Sequence, residues 1–258
     1  GQSLVAGTPF EQAFVKDGID ASSMEGIVDT PYDIPNMHAT LHTTKIGVPV
    51  LFWRSVGHSH TAYAMETAMD DLAQLAGQDP VAFRRVYLGK HPKVLKTLNL
   101  AAEKAGWASA LPKGRARGVA VHESFGSVVA HVVEVSMDKG ELKLHRIVSA
   151  IDCGLAVNPL TVAAQVESSA VYGMSAALYG KITLKDGVVE QSNFHNYPLL
   201  RMAEMPKVEV YIVPGGETPT GVGEPGLPPI APAISNAIFA LTGKRLRTLP
   251  FDLASLKA

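Results

Sequence analysis

The spacing of apolar residues changes once along this chain, and that change limits the fold more than any other feature. Between residues 59 and 106, apolar side chains recur at three- and four-residue steps, as at Ala62, Met65 and Met69. From residue 118 onward they form two-residue alternations and short continuous runs, as in residues 128–137. A helical part therefore precedes a strand-rich part, and we predict an α+β fold with mixed sheets and packed helices.

Asx-Pro pairs and glycines mark the predicted helix ends. Asp79 and Asn158 each precede a proline, and this order is typical of an N-cap followed by the first helical residue. Gly106 and Gly243 follow apolar periodic segments and predict C-terminal stops. The predicted helices are residues 59–77, 80–88, 92–106, 158–179 and 230–241, and the predicted strands are 118–121, 128–137, 141–151, 181–184, 188–191 and 208–213, with a linker at 108–118.

Composition excludes several classes of protein. Lys and Arg number 23 against 24 Asp and Glu, a net charge of −1 with no basic stripe, so we expect no nucleic-acid partner. One cysteine, Cys153, excludes an internal disulfide and a four-cysteine metal site. Charged residues make up 18%, below the usual share of about 25%, which predicts that part of the surface is covered by a partner.

Residues 221–226 read G-x-G-x-x-G, a string shared with dinucleotide-binding folds. Pro225 removes an N–H that would bind phosphate, and Lys244 stands where an acidic residue is expected, so a nicotinamide-binding function is the weakest hypothesis. Glu224 is held between glycines and a proline just before an apolar helix. This carboxylate can act as a general base in an apolar cavity, or it can be a solvated turn residue. The sequence leaves both alternatives open.

A second candidate site precedes the first long helix. Arg54 lies among small residues next to a helix N-terminus, a combination that suits an anionic ligand. The alternative is an ion pair between Arg54 and a core carboxylate. His58 and His60 follow at a two-residue spacing that does not share one helix face, so we expect polar capping there rather than metal ligation.

Several stretches together resemble one family. They are residues 49–66, 118–135, 151–167, 193–204 and 221–248. They resemble the C-terminal part of the molybdopterin-binding large subunit of the xanthine oxidase family. Within it they are most similar to the branch of the isoquinoline 1-oxidoreductase β subunits, which includes bacterial aldehyde dehydrogenases. The resemblance implies a molybdenum–molybdopterin cofactor, with or without a cytosine nucleotide tail, and oxidation of an aldehyde or N-heterocycle with water as the oxygen source.

The resemblance also implies residue roles. Glu224 matches the general base that takes the proton of the metal-bound hydroxide. The cofactor-binding positions carried over are Arg54, Ser55, Val56 and Gly223, and no residue of this chain is expected to bind the metal directly. Val56 and Phe125 map to the substrate pocket. Val56 replaces a phenylalanine of relatives that oxidise purines, which implies a wider pocket and a substrate other than a purine.

The same resemblance sets expectations for organisation and partners. Residues 1–112 form an irregular segment plus helices carrying Arg54, and residues 113–258 form the α+β portion carrying Glu224, both within a larger cofactor-binding assembly. The family's Gly-Gly-Phe-Gly and Gly-Gln-Gly loops are absent, and Ser168-Ser169 replaces a Gly-Gly pair.

The implied partners are the rest of the large subunit, an iron–sulfur subunit carrying [2Fe-2S] clusters, and a cytochrome c subunit. The sequence leaves the compartment open, with the bacterial periplasm or membrane surface favoured over the cytoplasm, and the alternative function is a non-catalytic assembly module.

Overall fold

The computed structural model describes residues 7–44, 48, 52–138 and 140–257. Its helices are α1 (Glu11–Phe14), α2 (His58–Leu75), α3 (Pro80–Tyr87), α4 (Pro92–Ala105), α5 (Pro159–Leu178) and α6 (Ile230–Thr242). Its strands are β1 (Val15–Lys16), β2 (Ile19–Asp20), β3 (Arg115–Ser124), β4 (Ser127–Asp138), β5 (Glu141–Asp152), β6 (Leu184–Lys185), β7 (Val188–Val189) and β8 (Lys207–Ile212). Short 3₁₀ helices cover Ala21–Ser23, Met202–Glu204 and Leu253–Lys257.

A four-stranded sheet in the order β3-β4-β5-β8 carries the fold. β3, β4 and β5 are antiparallel neighbours, with Val119 opposite Val132 and Val133 opposite Ile147. β8 joins the sheet parallel to β5, because the long connection through α5 returns the chain in the same direction. The sheet is therefore mixed, as the sequence predicted.

Helices cover both faces of this sheet. Val119 and Val121 belong to a core shared with α2, α3 and α4 on one face. Ala120 and Val133 belong to a second core with α5 and α6 on the other face. Burial on both faces explains why β4 is an apolar run rather than a strict alternation. Gly118 allows the close packing of α6, since a Cβ there would lie 2.1 Å from the backbone N of Ala237.

The predicted helix starts are confirmed at the atomic level. Asp79 accepts hydrogen bonds from the N–H groups of Val81 and Ala82 at 3.0 and 2.9 Å, and Asn158 accepts one from Thr161 at 3.1 Å. α4 and α6 end at glycines in the left-handed region, with φ of 62° and 72°. Local sequence therefore places these ends to within two residues.

Two predicted boundaries are wrong. β3 begins at Arg115 rather than at residue 118, so the predicted linker at 108–118 is too long. The charged residues hid this strand, because Arg117 lies opposite Glu134 in the sheet and pairs with it at 3.1 Å. The hairpin predicted at 181–191 has only two residues in each strand. The predicted turn at 138–140 contains residue 139, which lies outside the described residues.

A buried network of charged residues connects distant parts of the chain. Arg84 is fully buried and donates to Glu66 at 3.0 Å and to Asp70 at 3.3 Å. The Glu66 carboxylate also accepts from the Tyr32 hydroxyl at 2.6 Å and from the Val121 N–H at 3.0 Å. Burial alone lowers the pKa of Arg84, but the charges of its partners raise it above its ordinary value. Nothing in the local sequence pattern indicates this network.

The two parts predicted from the sequence share their cores. Met65 and Val121 lie in one apolar cluster, and Tyr63 and Ile234 lie in the other. The division at residue 112 therefore stays a prediction about sequence organisation. Among the described helices, none combines the length and the apolar character that a membrane crossing requires.

Candidate functional site

Two loops meet at one edge of the fold. The first, residues 52–57, leads into α2 and is called here the Arg54 loop. The second, residues 221–226, follows β8 and leads into α6, and is called the Glu224 loop. Although 169 positions separate Ser55 from Glu224, the two residues are joined by two hydrogen bonds. The structure thus brings together the candidate residues that the sequence could only name separately.

Ser55 holds Glu224 through both its backbone and its side chain. The Ser55 N–H donates to Oε1 of the Glu224 carboxylate at 3.0 Å, and the Ser55 hydroxyl donates to the Glu224 backbone carbonyl at 2.8 Å. Ser55 is fully buried. Within the described part of the chain, the other carboxylate oxygen, Oε2, accepts no hydrogen bond. One oxygen therefore orients the carboxylate, and the other can take a proton from a reacting group.

Arg54 fastens the two loops to helix α5. Its Nε donates to the Gly223 carbonyl at 2.8 Å, and a second guanidinium nitrogen donates to the same oxygen. The guanidinium also donates to the hydroxyls of Ser168 at 3.2 Å and Ser169 at 2.7 Å. Burial lowers the pKa of Arg54, while the Tyr172 phenol and Glu224 oppose that shift. The alternative of an ion pair with a core carboxylate is wrong for the described residues, since these partners are a carbonyl and hydroxyls.

The Ser168-Ser169 pair is a site feature whose role the sequence did not indicate. The pair was expected to affect only helix packing. Its hydroxyls instead bind the Arg54 guanidinium, and Ser169 also contacts the Glu224 loop, where a Cβ on Gly226 would lie 2.8 Å from its Cβ. The departure from the family's Gly-Gly pair was the available signal, because two added hydroxyls in a tightly packed stretch need partners.

The Arg54 loop has strained backbone. Ser55 and Val56 have φ of 72° and 50°, in the left-handed region that residues other than glycine rarely adopt. Each such residue costs about 1–3 kcal/mol and persists only where surrounding contacts fix it. The Val56 N–H donates to the Trp53 carbonyl at 2.8 Å, and the Ser59 hydroxyl donates to the Val56 carbonyl at 2.8 Å. Strain of this kind clusters at ligand-binding and catalytic sites.

Open space lies beside the loop. Val56 lines a cavity of about 290 Å³ together with Phe52 and Trp53, whose side chains are exposed. Trp53 and Ser59 also line a neighbouring apolar cavity of about 220 Å³ that reaches Leu227. These two cavities place Val56 and the exposed aromatic rings where a flat apolar group can lie.

Phe125 lies at the same edge but lines neither cavity. It forms the β3–β4 turn with Gly126, and both residues have positive φ, as a tight two-residue hairpin turn requires. Its ring packs against His58 at a centroid distance of 5.5 Å, and its Cβ lies next to Gly221 of the Glu224 loop. Its assignment to the substrate pocket stays a prediction.

Buried histidines support the site from behind. His58 does not cap its helix, contrary to the expectation from sequence, and instead bonds His122 at 2.9 Å between ring nitrogens. His131 contacts the Gly226 carbonyl at 2.7 Å through Nε2 and the Ser149 hydroxyl at 2.7 Å through Nδ1. Since a carbonyl only accepts, Nε2 of His131 carries the proton, and the ring is neutral when Ser149 donates to Nδ1. His131 thereby fixes the end of the Glu224 loop.

These histidines predict an acid-sensitive fold. Burial lowers the pKa of His131 to about 4, although the Gly226 carbonyl opposes the shift, and burial plus the nearby His58 lowers the pKa of His122 to about 3. An unfolded histidine titrates near about 6.5, so the unfolded state binds more protons below that pH. We expect the free energy of unfolding to fall as pH drops from about 6.5 toward 4. In His131→Gln, the unfolded state should bind about one proton fewer than in the wild type, so the fall should be less steep.

Urea unfolding of the protein at a series of pH values measures this dependence. The matched control is His195→Gln, the same chemical change at an exposed histidine. Parallel stability curves for the wild type and His131→Gln would show that His131 is not a buried neutral group.

The exposed side of the two loops has the properties of a cofactor surface. A side chain at Gly223 would meet no atom within 4 Å, so its backbone is open to a ligand. Among the described residues, no group of three or more His, Cys, Asp or Glu side chains could hold a metal ion. The open backbone at Gly223 is the feature of this surface that fits contact with an organic cofactor.

Comparison with known proteins identifies the family. The family described as molybdopterin cofactor-binding domain matches residues 57–206, and a second family of the same description matches residues 17–88. The chain is 34% identical over 233 residues to the isoquinoline 1-oxidoreductase β subunit of Brevundimonas diminuta, covering 88% of this chain and 30% of that protein. It is 31% identical over 248 residues to a nicotinate dehydrogenase subunit of Pseudomonas putida, covering 88% and 21%.

A solved structure has the same fold. Aldehyde oxidoreductase from Desulfovibrio desulfuricans aligns with a TM-score of 0.66 at 13% identity, over 80% of this chain and 41% of that one. The chain spans less than a third of the length of the two bacterial relatives it matches. The resemblance drawn from the sequence is confirmed: the chain belongs to the molybdopterin cofactor-binding domains of the xanthine oxidase family large subunits.

Proposed function

We propose that this chain supplies the general base and two cofactor-contacting loops of a molybdenum hydroxylase. The enzyme oxidises an aldehyde or an N-heterocycle and takes the oxygen from water. The observation that carries the proposal is the Glu224 carboxylate, which the Ser55 N–H holds through Oε1 while Oε2 has no hydrogen bond among the described residues. Isoquinoline and nicotinate, named in two relatives, are N-heterocycles, and a third relative is named as an aldehyde dehydrogenase, so the proposal keeps both substrate classes.

When bound, the cofactor would supply a metal that makes a water molecule more acidic and that accepts two electrons from the substrate. Glu224 would take a proton from this water at Oε2. The Ser55 N–H stabilises the carboxylate before the transfer and keeps it aimed during the reaction. The exposed backbone at Gly223 and the Arg54 loop contact the cofactor from the protein side.

Val56 and the neighbouring aromatic rings shape the substrate space. The cavity beside Val56 is lined by Phe52 and Trp53, which can stack on a planar substrate. Valine leaves more room than an aromatic side chain would at the same place. We propose that Phe125, which lies outside this cavity and next to Gly221, borders the substrate on the side of the Glu224 loop.

We also propose the partners implied by the family. The rest of the large subunit completes the cofactor site, since this chain spans 30% of its isoquinoline relative. An iron–sulfur subunit with [2Fe-2S] clusters takes the electrons, with a cytochrome c subunit as a further acceptor. A cytosine nucleotide tail on the pterin belongs to the same proposal. The deciding experiment is turnover of a Glu224→Gln variant at known molybdenum content.

Arg54→Ala is expected to lower the molybdenum content of the purified enzyme. The substitution removes the bonds from Arg54 to Gly223, Ser168 and Ser169, so the two loops lose their attachment to α5, while the two bonds between Ser55 and Glu224 remain. Elemental analysis gives the metal content for each molecule of enzyme. Molecules that still hold the cofactor should turn over with little change, because Arg54 is engaged by this chain rather than by the reacting atoms.

Arg85→Ala is the matched control, because that exposed arginine bonds only the Asn99 side chain among the described residues. Its metal content should equal that of the wild type. Full molybdenum loading of Arg54→Ala would instead show that the loops keep their places without the guanidinium.

A further inference from the structure

Residues 20–29 pack directly behind the Arg54 loop. The Glu25 carboxylate accepts a hydrogen bond from the Gly57 N–H at 2.7 Å through Oε1. A Cβ on Gly57 would lie 2.2 Å from the Ser22 carbonyl oxygen and 2.7 Å from Cγ of Glu25. Only glycine fits at this contact, and the two segments touch through their backbones.

Glu25 itself is held in a defined place. Its Oε2 lies 3.6 Å from Nε2 of His58, whose other ring nitrogen bonds His122 at 2.9 Å. On the other side, the Asp20 carboxylate accepts from the Ser22 N–H at 3.0 Å and from the Ser22 hydroxyl at 2.6 Å. The side chain of Glu25 is three-quarters buried, at 25% exposure. These contacts make it a fixed acceptor rather than a mobile surface carboxylate.

The strained residues of the Arg54 loop need support at both ends. Arg54 fixes the N-terminal end through Gly223. At the C-terminal end, the Gly57 N–H is the first backbone donor after the left-handed pair Ser55 and Val56, and Glu25 is its acceptor. Without that bond, the backbone can relax toward ordinary φ values, and the Ser55 N–H then turns away from Glu224.

We infer that Glu25 is a positioning residue: it holds the Arg54 loop in the conformation in which the Ser55 N–H binds the Glu224 carboxylate. Glu25 touches neither substrate nor cofactor in this account and acts only through Gly57. The link from Glu25 to the Arg54 loop rests on the contacts of Glu25 with Gly57 and His58. The effect on turnover rests on the proposed function of Glu224.

The test uses the purified enzyme with its partner subunits and compares Glu25→Ala, Glu25→Gln and Glu25→Asp. Glutamine keeps an oxygen that can accept from the Gly57 N–H, aspartate holds its carboxylate one methylene group farther from that N–H, and alanine has no acceptor. Glu103→Gln is the control, because Glu103 lies exposed on α4 and pairs only with Lys104 among the described residues. Amide hydrogen exchange resolved at Ser55 and Gly57 is measured together with kcat and KM.

Glu25→Ala should speed exchange at both amides by at least about tenfold, since each loses a bond to a charged acceptor. It should lower kcat by about 10–100-fold with little change in KM, because the base is misplaced while the substrate space is kept. Glu25→Gln should restore both readouts, and Glu25→Asp should fall between. If Glu25→Ala fails to fold, the same comparison of Glu25→Asp with Glu25→Gln decides.

Faster exchange at Gly57 alone, with Ser55 protected as in the wild type, would overturn the inference whatever happens to kcat. Wild-type exchange at both amides would do the same. Faster exchange at both amides supports the positioning role even if Glu224→Gln stays active. In that outcome the proposed role of Glu224 fails while the link from Glu25 to Ser55 stands, so the two claims are tested separately.

Discussion

Glu224→Gln is expected to lower turnover by about 10²–10⁴-fold in enzyme that retains its molybdenum. Glutamine keeps the shape of the side chain and can still accept from the Ser55 N–H, so the loops should remain joined. It cannot take a proton at the second position, where the carboxylate has its open oxygen. The measurement is steady-state oxidation of aldehydes and of N-heterocycles such as isoquinoline with an artificial electron acceptor, normalised to metal content.

Glu217→Gln is the matched control in the segment between β8 and α6. Glu217 is exposed and accepts no hydrogen bond among the described residues, so the same chemical change there should leave turnover near that of the wild type. Glu224→Gln with turnover within a few-fold of wild type at full metal loading would mean that Glu224 is a turn residue. The alternative function, a non-catalytic assembly module, would then be favoured if the wild type also turned over no substrate.

Arg84→Met is expected to lower the free energy of unfolding by about 3–5 kcal/mol. Methionine fills much of the same volume but leaves Glu66 and Asp70 buried without their shared cation. Glu66 keeps the Tyr32 hydroxyl and the Val121 N–H as donors, and Asp70 keeps Arg245, but Glu66 loses its cation, and neutral donors do not offset the burial of that charge. Equilibrium unfolding in urea gives the change in free energy.

The neighbouring residue supplies the control for this substitution. Arg85 lies on the same helix, is exposed and bonds only Asn99 among the described residues, so Arg85→Met should change stability by less than about 0.5 kcal/mol. Equal effects of the two substitutions would show that the buried network adds no more than a surface contact.

Local sequence was enough to predict most of the secondary structure. Asp79 and Asn158 cap their helices with their own side chains, so the start signals and the structures that they predict involve the same few atoms. β3 was predicted too short because Arg117 is stabilised by Glu134 on the next strand, a contact between residues 17 positions apart. A strand that depends on its partner cannot be located from its own residues.

For the candidate site too, local sequence indicated some features, and tertiary contacts decided the others. Loop composition singled out Glu224 and Arg54 but left their roles open, and the family resemblance chose between the alternatives. Neither route could show that Ser55 would hold the Glu224 carboxylate, since that bond joins segments 169 residues apart. The left-handed backbone at Ser55 and Val56 is also set by tertiary contacts, because neither residue favours such φ values by itself.

The central claim, that this chain provides the base beside the metal of a molybdenum cofactor, is tested most directly by locating the metal. A crystal of the purified enzyme with its partner subunits, measured around the molybdenum absorption edge, gives an anomalous peak at the metal position. We expect one peak per large subunit on the open side of the two loops, nearer to the Glu224 carboxylate than to any other carboxylate of this chain. A peak away from both loops, or fully assembled enzyme without molybdenum, would contradict the account.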